Sequence, residues 1–99
     1  MSNFNQIINS HTPVLVDFYA DWCAPCRQVT PVLKKLKSEL GEKVKIIKIN
    51  VDKNREISTR YGVRSIPTLF IFKNGEIKWS GMGARPLQEL KHEIQNLLN

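Results

Sequence analysis

The two cysteines of this chain, Cys23 and Cys26, are separated by only Ala24 and Pro25. Two thiols at this spacing, at the opening of a helix, lie within reach of a disulfide bond. The first thiol also meets the free N–H groups and the positive end of the helix dipole, which favour its thiolate form, and it should be the better placed of the two for solvent. The pair therefore predicts reversible thiol–disulfide chemistry, with Cys23 as the nucleophile and Cys26 as the thiol that resolves the covalent intermediate.

Two structural interpretations of the same pair are less consistent with its spacing. A disulfide that closes so short a loop would constrain the unfolded chain very little, because the loop entropy grows with the number of enclosed residues. Half of a zinc site would need two further ligands, and the two histidines, His11 and His92, do not have ligand spacing. We therefore expect neither a purely structural disulfide nor a metal site.

A strand and a helix are expected to position the cysteines. The nearly continuous apolar run over residues 14–19 predicts a strand buried on both faces, with Asp17 as its one charged residue. Apolar residues then recur with a helical period over residues 23–40, and Gly41 predicts the end of that helix. Pro31 lies inside the helix and predicts a kink.

The rest of the chain alternates between further helix and strand patterns. Ser2 is expected to cap a short first helix, and Pro86 to lie in the first turn of the last one. The Asn74-Gly75 pair predicts a hairpin, so the last two strands should be antiparallel. The other predicted elements are strands over residues 44–51, 69–73 and 77–80, and helices over residues 54–61 and 87–98. This order predicts an α/β fold in one domain over residues 1–99, with helices on both faces of a mixed sheet.

Composition and charge limit the partners of the protein. The chain has 99 residues, with 15 Lys and Arg against 9 Asp and Glu, for a net charge of +6. The basic residues form only one tight group, Lys34, Lys35 and Lys37, which predicts a solvated helix face rather than a nucleic-acid site. No apolar run approaches the length of a membrane span, and residues 1–6 lack the features of a secretory signal. We therefore expect a cytoplasmic monomer with no nucleic-acid or membrane partner.

Four segments together resemble the thioredoxin family, in the family's order and spacing. They are residues 14–31, 48–52, 61–68 and 72–76, and the similarity runs from about Phe4 to Leu98. The resemblance implies a thioredoxin fold with about four strands in the order 2-1-3-4. It also implies an enzyme that reduces protein disulfides without a bound cofactor. The implied partners are disulfide-containing client proteins and a thioredoxin reductase that passes on electrons from NADPH.

The resemblance also implies roles for individual residues. Burial of Asp17 should raise the pKa of its carboxyl group, and the residue matches the family's buried acid, which takes the proton of Cys26. Lys48 matches the family lysine beside that acid. Pro67 is implied to be cis, so that the backbone of Ile66 can pair with an extended client chain. Client contacts around the first cysteine are further implied for Trp22, Ala24, Pro25, Tyr61, Gly83 and Ala84.

Three features depart from the family pattern. Ala24 stands where the commonest motif has Gly, and the dipeptide between the cysteines tunes the redox potential. Tyr19 replaces a usual Trp, which should alter packing more than chemistry. The N-terminal strand of longer members is missing from the pattern, so the strand over residues 44–51 should lie at an edge of the sheet. The residues expected to discourage unwanted pairing there are Lys43, Lys45 and Lys48.

Two alternative functions stay open on the sequence alone. One is an exported oxidase, or a related reductase dedicated to a single partner, which equilibration with glutathione would distinguish. The other is an assembly subunit that uses the fold as a platform, with thiols that are incidental. Retention of function after both cysteines become serine would support that second alternative.

Overall fold

Four strands form a mixed sheet in the order β2-β1-β3-β4 in the computed structural model, which describes residues 3–98. Strand β1 is parallel to β2 and antiparallel to β3, which is in turn antiparallel to β4. The predicted α/β fold and strand order are confirmed, and β2 lies at an edge of this sheet as expected. The strands are β1 Val14–Tyr19, β2 Lys45–Asn50, β3 Thr68–Lys73 and β4 Glu76–Met82.

The helices follow the predicted order with small differences at their ends. They are α1 Phe4–Ile8, α2 Ala24–Leu40, α3 Arg55–Arg60 and α4 Leu87–Gln95, with a 3₁₀ turn at Gly41–Lys43. The predicted cap Ser2 lies outside the described residues, and Asn3 holds the N-cap position of α1. Helix α2 continues on both sides of Pro31, and Pro86 precedes the first turn of α4. No helix in the described part of the chain is long and apolar enough to cross a membrane.

Alternation along β1 divides the buried apolar side chains between the two faces of the sheet. Successive strand residues point to opposite faces, so Leu15 lies on one face while Val14 and Val16 lie on the other. Leu15 belongs to a core cluster with side chains of α2 and α4, and Val14 and Val16 belong to a second cluster with side chains of α1 and α3. Helices therefore cover both faces of the sheet. Asp17 shares the face of Leu15, which is the face that α2 covers.

Candidate active site

The structure joins Cys23 and Cys26 in a disulfide at the start of helix α2. Cys23 is the N-cap residue of this helix, and its sulfur accepts a hydrogen bond from the Cys26 backbone N–H at 3.2 Å. The backbone N–H of Cys23 donates to the carbonyl oxygen of Ala20 at 3.2 Å, which fixes the turn that follows β1. The sulfur of Cys23 thus lies where a helix N-terminus stabilises negative charge once the disulfide is reduced.

The exposure of the two cysteines does not distinguish their roles. Cys23 is 3% and Cys26 is 4% exposed, whereas the sequence led us to expect Cys23 to be the better placed for solvent. The disulfide brings both sulfur atoms into a small buried cluster with Ala20, so in the oxidised form neither projects into solvent. The capping geometry distinguishes them instead, and the nucleophilic role of Cys23 stays a prediction. Residues 3–98 contain no group of three or more side chains suited to holding a metal ion.

The loop that carries Pro67 faces the disulfide. The Ile66–Pro67 peptide bond is cis, as the resemblance implied. The sulfur of Cys23 lies 3.8 Å from the carbonyl oxygen of Ile66. The backbone N–H of Gly83 donates to the carbonyl oxygen of Pro67 at 2.8 Å. Chain segments more than forty residues apart therefore meet at one point, and they include four of the predicted site residues.

Trp22 lies beside Cys23 with its ring on the surface. The side chain is 69% exposed, and its indole N–H donates to the carboxylate of Asp52 at 2.9 Å. The backbone N–H of Asp52 in turn donates to the side-chain oxygen of Asn50 at 2.9 Å. The end of β2 thereby holds the indole in one orientation. The sequence does not identify Asp52 as a partner of Trp22, because the two residues lie 30 positions apart.

We expect Asp52→Ala to weaken client binding without removing the chemistry. Loss of the hydrogen bond frees the Trp22 ring, and an exposed hydrogen bond of this kind contributes about 0.5 to 1.5 kcal/mol. The KM for a disulfide client should rise about two- to tenfold with little change in kcat, as steady-state kinetics would show. Asp21→Ala removes the same charge from the neighbouring turn and serves as the control. Equal kinetics for the two variants would contradict a positioning role for Asp52.

The other predicted contact residues divide between the surface and the core. Ala24, Pro25 and Ala84 are exposed. The ring of Tyr61 is half-buried and packs among three phenylalanine rings, at centroid distances of 5.5 to 5.9 Å. This packing ties Tyr61 to the core of the α1 and α3 face. Its implied contact with clients stays a prediction.

Asp17 is a buried carboxyl group with no donor to satisfy it. The residue is fully buried, and neither carboxylate oxygen has a hydrogen-bond partner among the described residues. Burial raises the pKa of Asp17 from 3.8 to about 6, and the charge of Lys48 opposes this rise. The side chain lies on the face of β1 that helix α2 covers, and the first turn of α2 carries Cys26. These properties suit a proton acceptor that acts near neutral pH.

Lys48 lies opposite Asp17 in the register of β1 and β2, but it makes no ion pair with it. Its ammonium group instead donates to the Thr30 hydroxyl at 3.0 Å and lies 4.7 Å from the centroid of the Tyr19 ring. Lys48, Thr30 and Tyr19 also line a cavity of about 190 Å³ that reaches Cys26. The positive charge of Lys48 therefore acts on Asp17 electrostatically, without a direct contact. The catalytic role predicted for Lys48 stays a prediction.

A disulfide at the start of a helix, faced by a cis-proline loop on a sheet of this order, defines a thiol–disulfide oxidoreductase. The thioredoxin family model matches residues 1–96. Thioredoxin of Rickettsia bellii is 46% identical over 91 residues, which cover 92% of this chain and 87% of the relative. Thioredoxin of Bacillus subtilis is 48% identical over 86 residues, which cover 87% of this chain and 79% of the relative.

Solved structures are similar over the same length. A mutant thioredoxin from Halobacterium salinarum superimposes with a TM-score of 0.89 at 33% identity, covering 100% of this chain and 86% of that one. Thioredoxin of Malassezia sympodialis gives a TM-score of 0.87 at 33% identity, with coverages of 99% and 85%. The chain belongs to the thioredoxin family.

Proposed function

We propose that this thiol–disulfide oxidoreductase reduces disulfide bonds of client proteins by two successive exchanges at Cys23 and Cys26. The observation that supports the proposal most directly is the Cys23–Cys26 disulfide at the N-terminus of α2. That disulfide is the oxidised product of the proposed cycle. The capping hydrogen bond to Cys23 supports its role as the attacking thiolate.

In the first exchange, the Cys23 thiolate attacks one sulfur atom of the client disulfide. The client S–S bond breaks, a new S–S bond joins Cys23 to the client, and the released client thiolate takes up a proton. The backbone of Ile66, beside the sulfur of Cys23, pairs with the extended client chain. Because main-chain hydrogen bonds do not depend on side-chain identity, this mode of binding admits many client sequences.

In the second exchange, Asp17 accepts the proton of the Cys26 thiol, directly or through one water. The resulting thiolate attacks the sulfur of Cys23, the Cys23–Cys26 bond forms, and the mixed disulfide breaks. The client leaves with both of its sulfur atoms reduced, and the two electrons have come from the cysteine pair. The tethered thiol acts at an effective concentration of up to about 10⁵ M or more, so resolution outpaces loss of the intermediate.

A further donor must return the cysteine pair to the dithiol form. We propose a thioredoxin reductase that draws on NADPH, in the cytoplasm, with the oxidoreductase acting as a monomer. The net charge of +6 would favour association with acidic partner surfaces at low salt. The observations on the described residues give no particular support to an exported oxidase or to a non-catalytic platform.

Insulin reduction in the presence of dithiothreitol tests the proposed function. Precipitation of the freed insulin B chain, followed by turbidity, should start earlier and proceed faster with the wild-type chain than with dithiothreitol alone. Cys23→Ser should bring the rate back to the level of dithiothreitol alone, because the attacking sulfur is gone. Wild-type rates no faster than those of the Cys23→Ser variant would refute the proposal.

A further inference from the structure

A cavity of about 410 Å³ lies between the end of helix α3 and the edge strand β4. It adjoins the loop that carries Ile66 and the cis Pro67, which we call the proline loop. Two of the three β4 residues that line the cavity, Ser80 and Gly81, are small and leave space there. Ser80 lies opposite Phe70 and Met82 lies opposite Thr68 in the register of the two strands, so these four side chains share one face of the sheet. The residues that form its walls and floor include Tyr61, Arg64, Thr68, Phe70, Ser80 and Met82.

The cavity is continuous with the proposed client site. Thr68 follows Pro67 directly, and Met82 precedes Gly83, whose N–H donates to the Pro67 carbonyl at 2.8 Å. The hydroxyl of Ser65 lies 3.3 Å from the sulfur of Met82, which links the loop to the cavity rim. The cavity is therefore within reach of a client chain that pairs with the proline loop.

The surroundings of the cavity select a particular kind of side chain. Tyr61 and Phe70 supply aromatic surface, and Met82 is 68% exposed at the rim, where its flexible thioether can adapt to different apolar groups. Among the described residues, Met82 and Trp22 are the most exposed of the large apolar side chains. A large aliphatic or aromatic side chain of a client would cover this surface.

Arg64 adds a charge requirement at the same mouth. Arg64 is exposed, and its guanidinium group makes no hydrogen bond or ion pair within residues 3–98. Two other arginines are paired within the chain: Arg60 forms an ion pair with Glu56, and Arg85 forms one with Glu89. Arg64 thus remains available for a carboxylate from outside the chain.

We propose that this cavity is a specificity subsite for clients that carry a large apolar side chain next to an acidic residue, near the disulfide to be reduced. The inference rests on the proposed function, because it assigns a preference among its clients. The main-chain pairing at Ile66 gives general affinity, and a pocket for one alternate side chain gives selectivity. Discrimination of about tenfold between leucine and alanine is typical of such an apolar pocket.

Disulfide-containing peptides that differ at single positions test the subsite. Leucine is moved one position at a time along both sides of the reactive cysteine, in a background of glycine and serine, with alanine peptides as references. At one position, leucine followed by glutamate should raise kcat/KM about tenfold over alanine followed by glutamate. Replacement of that glutamate by lysine should lower kcat/KM, and this effect should weaken with added salt.

Two variants and their matched controls connect the preference to the cavity. Ser80→Leu fills the space and should reduce the leucine-to-alanine ratio to about one, whereas Ser38→Leu, on the exposed surface of α2, should keep it. Arg64→Glu should reverse the preference for glutamate over lysine, whereas Arg55→Glu should not. Circular dichroism of each variant verifies that it is folded.

The outcomes separate the subsite from the proposed function. Equal reduction of all peptides by the wild-type chain would overturn the subsite and leave the reductase activity intact. A preference that survives Ser80→Leu in the folded protein would also overturn it, because the preference would then arise elsewhere. Reduction of none of the peptides, together with no effect on insulin, would contradict the proposed function itself.

Discussion

Cys26→Ser should convert the protein from a catalyst into a trap for its clients. Cys23 keeps its place at the N-terminus of α2 and still attacks, but the mixed disulfide has no second thiol to resolve it. An external thiol at about millimolar concentration replaces a tethered one acting at up to about 10⁵ M, so release should slow by several orders of magnitude, up to about 10⁸-fold. Non-reducing electrophoresis of the variant with a disulfide client should show a covalent complex that persists for minutes to hours.

The double variant with both cysteines replaced by serine is the control for this trap. It should form no covalent complex, because the attacking sulfur is absent. The reciprocal variant, Cys23→Ser, should also trap little client, since Cys26 does not hold the capping position. If Cys23→Ser trapped client faster than Cys26→Ser, the order of attack proposed here would be wrong. Applied to cell extracts, the Cys26→Ser trap would identify the physiological clients.

Asp17→Asn should make the oxidised protein more stable at neutral pH by an amount that depends on pH. The folded protein holds the pKa of Asp17 at about 6, above its ordinary value of 3.8, so the folded state binds the proton more tightly than the unfolded state does. The contribution of the Asp17 carboxyl group to the free energy of unfolding is therefore highest at low pH, and it is lost as the pH rises from about 4 to about 6. Above that range, the ionised and unpartnered carboxylate costs about 3 kcal/mol.

The pH dependence separates this electrostatic cost from any effect of the new amide. An unsatisfied Asn amide would lower stability equally at every pH, whereas removal of the titrating group changes the slope. Urea denaturation of both oxidised proteins should show the stability difference moving in favour of the variant by about 2 to 3 kcal/mol between about pH 4 and pH 8. Asp21→Asn, at an exposed aspartate, is the control. A difference that stays constant with pH would refute the assignment.

The same substitution should slow the release of client. The wild-type resolution step should accelerate as the pH rises through about 6, since Asp17 then loses its proton and can accept that of Cys26. In Asp17→Asn this acceleration should be absent, which stopped-flow measurement of mixed-disulfide decay would test. A wild-type profile with no inflection near this pH would argue for a different base.

The sequence predicted the elements well where a local pattern specifies them. The apolar run over residues 14–19 matches β1 residue for residue, and Gly41 ends helix α2 as expected. The Asn74-Gly75 turn joins two antiparallel strands as predicted. Strand β4 extends to Met82, two residues beyond the predicted end, because pairing with β3 continues through Gly81 where the sequence shows no apolar alternation.

Side-chain partners were the features that the sequence could not supply. The indole of Trp22 pairs with Asp52, and the ammonium of Lys48 turns to Thr30 rather than to the carboxylate opposite it. Tyr61 is held among three phenylalanine rings, one from α1 and two from β3. Each of these contacts depends on which chain segments the fold brings together, and residue type and spacing carry no information about that choice.

The sequence by itself indicated the chemistry of this protein, because two thiols three positions apart at a helix start favour thiol–disulfide exchange. It also determined the order of helices and strands, since each has its own hydrophobic period. Only the tertiary structure placed Ile66 against that disulfide, joined Gly83 to Pro67, buried Asp17, and left a cavity next to the proline loop. These features arise from contacts between distant segments, so they exist only once the chain has folded.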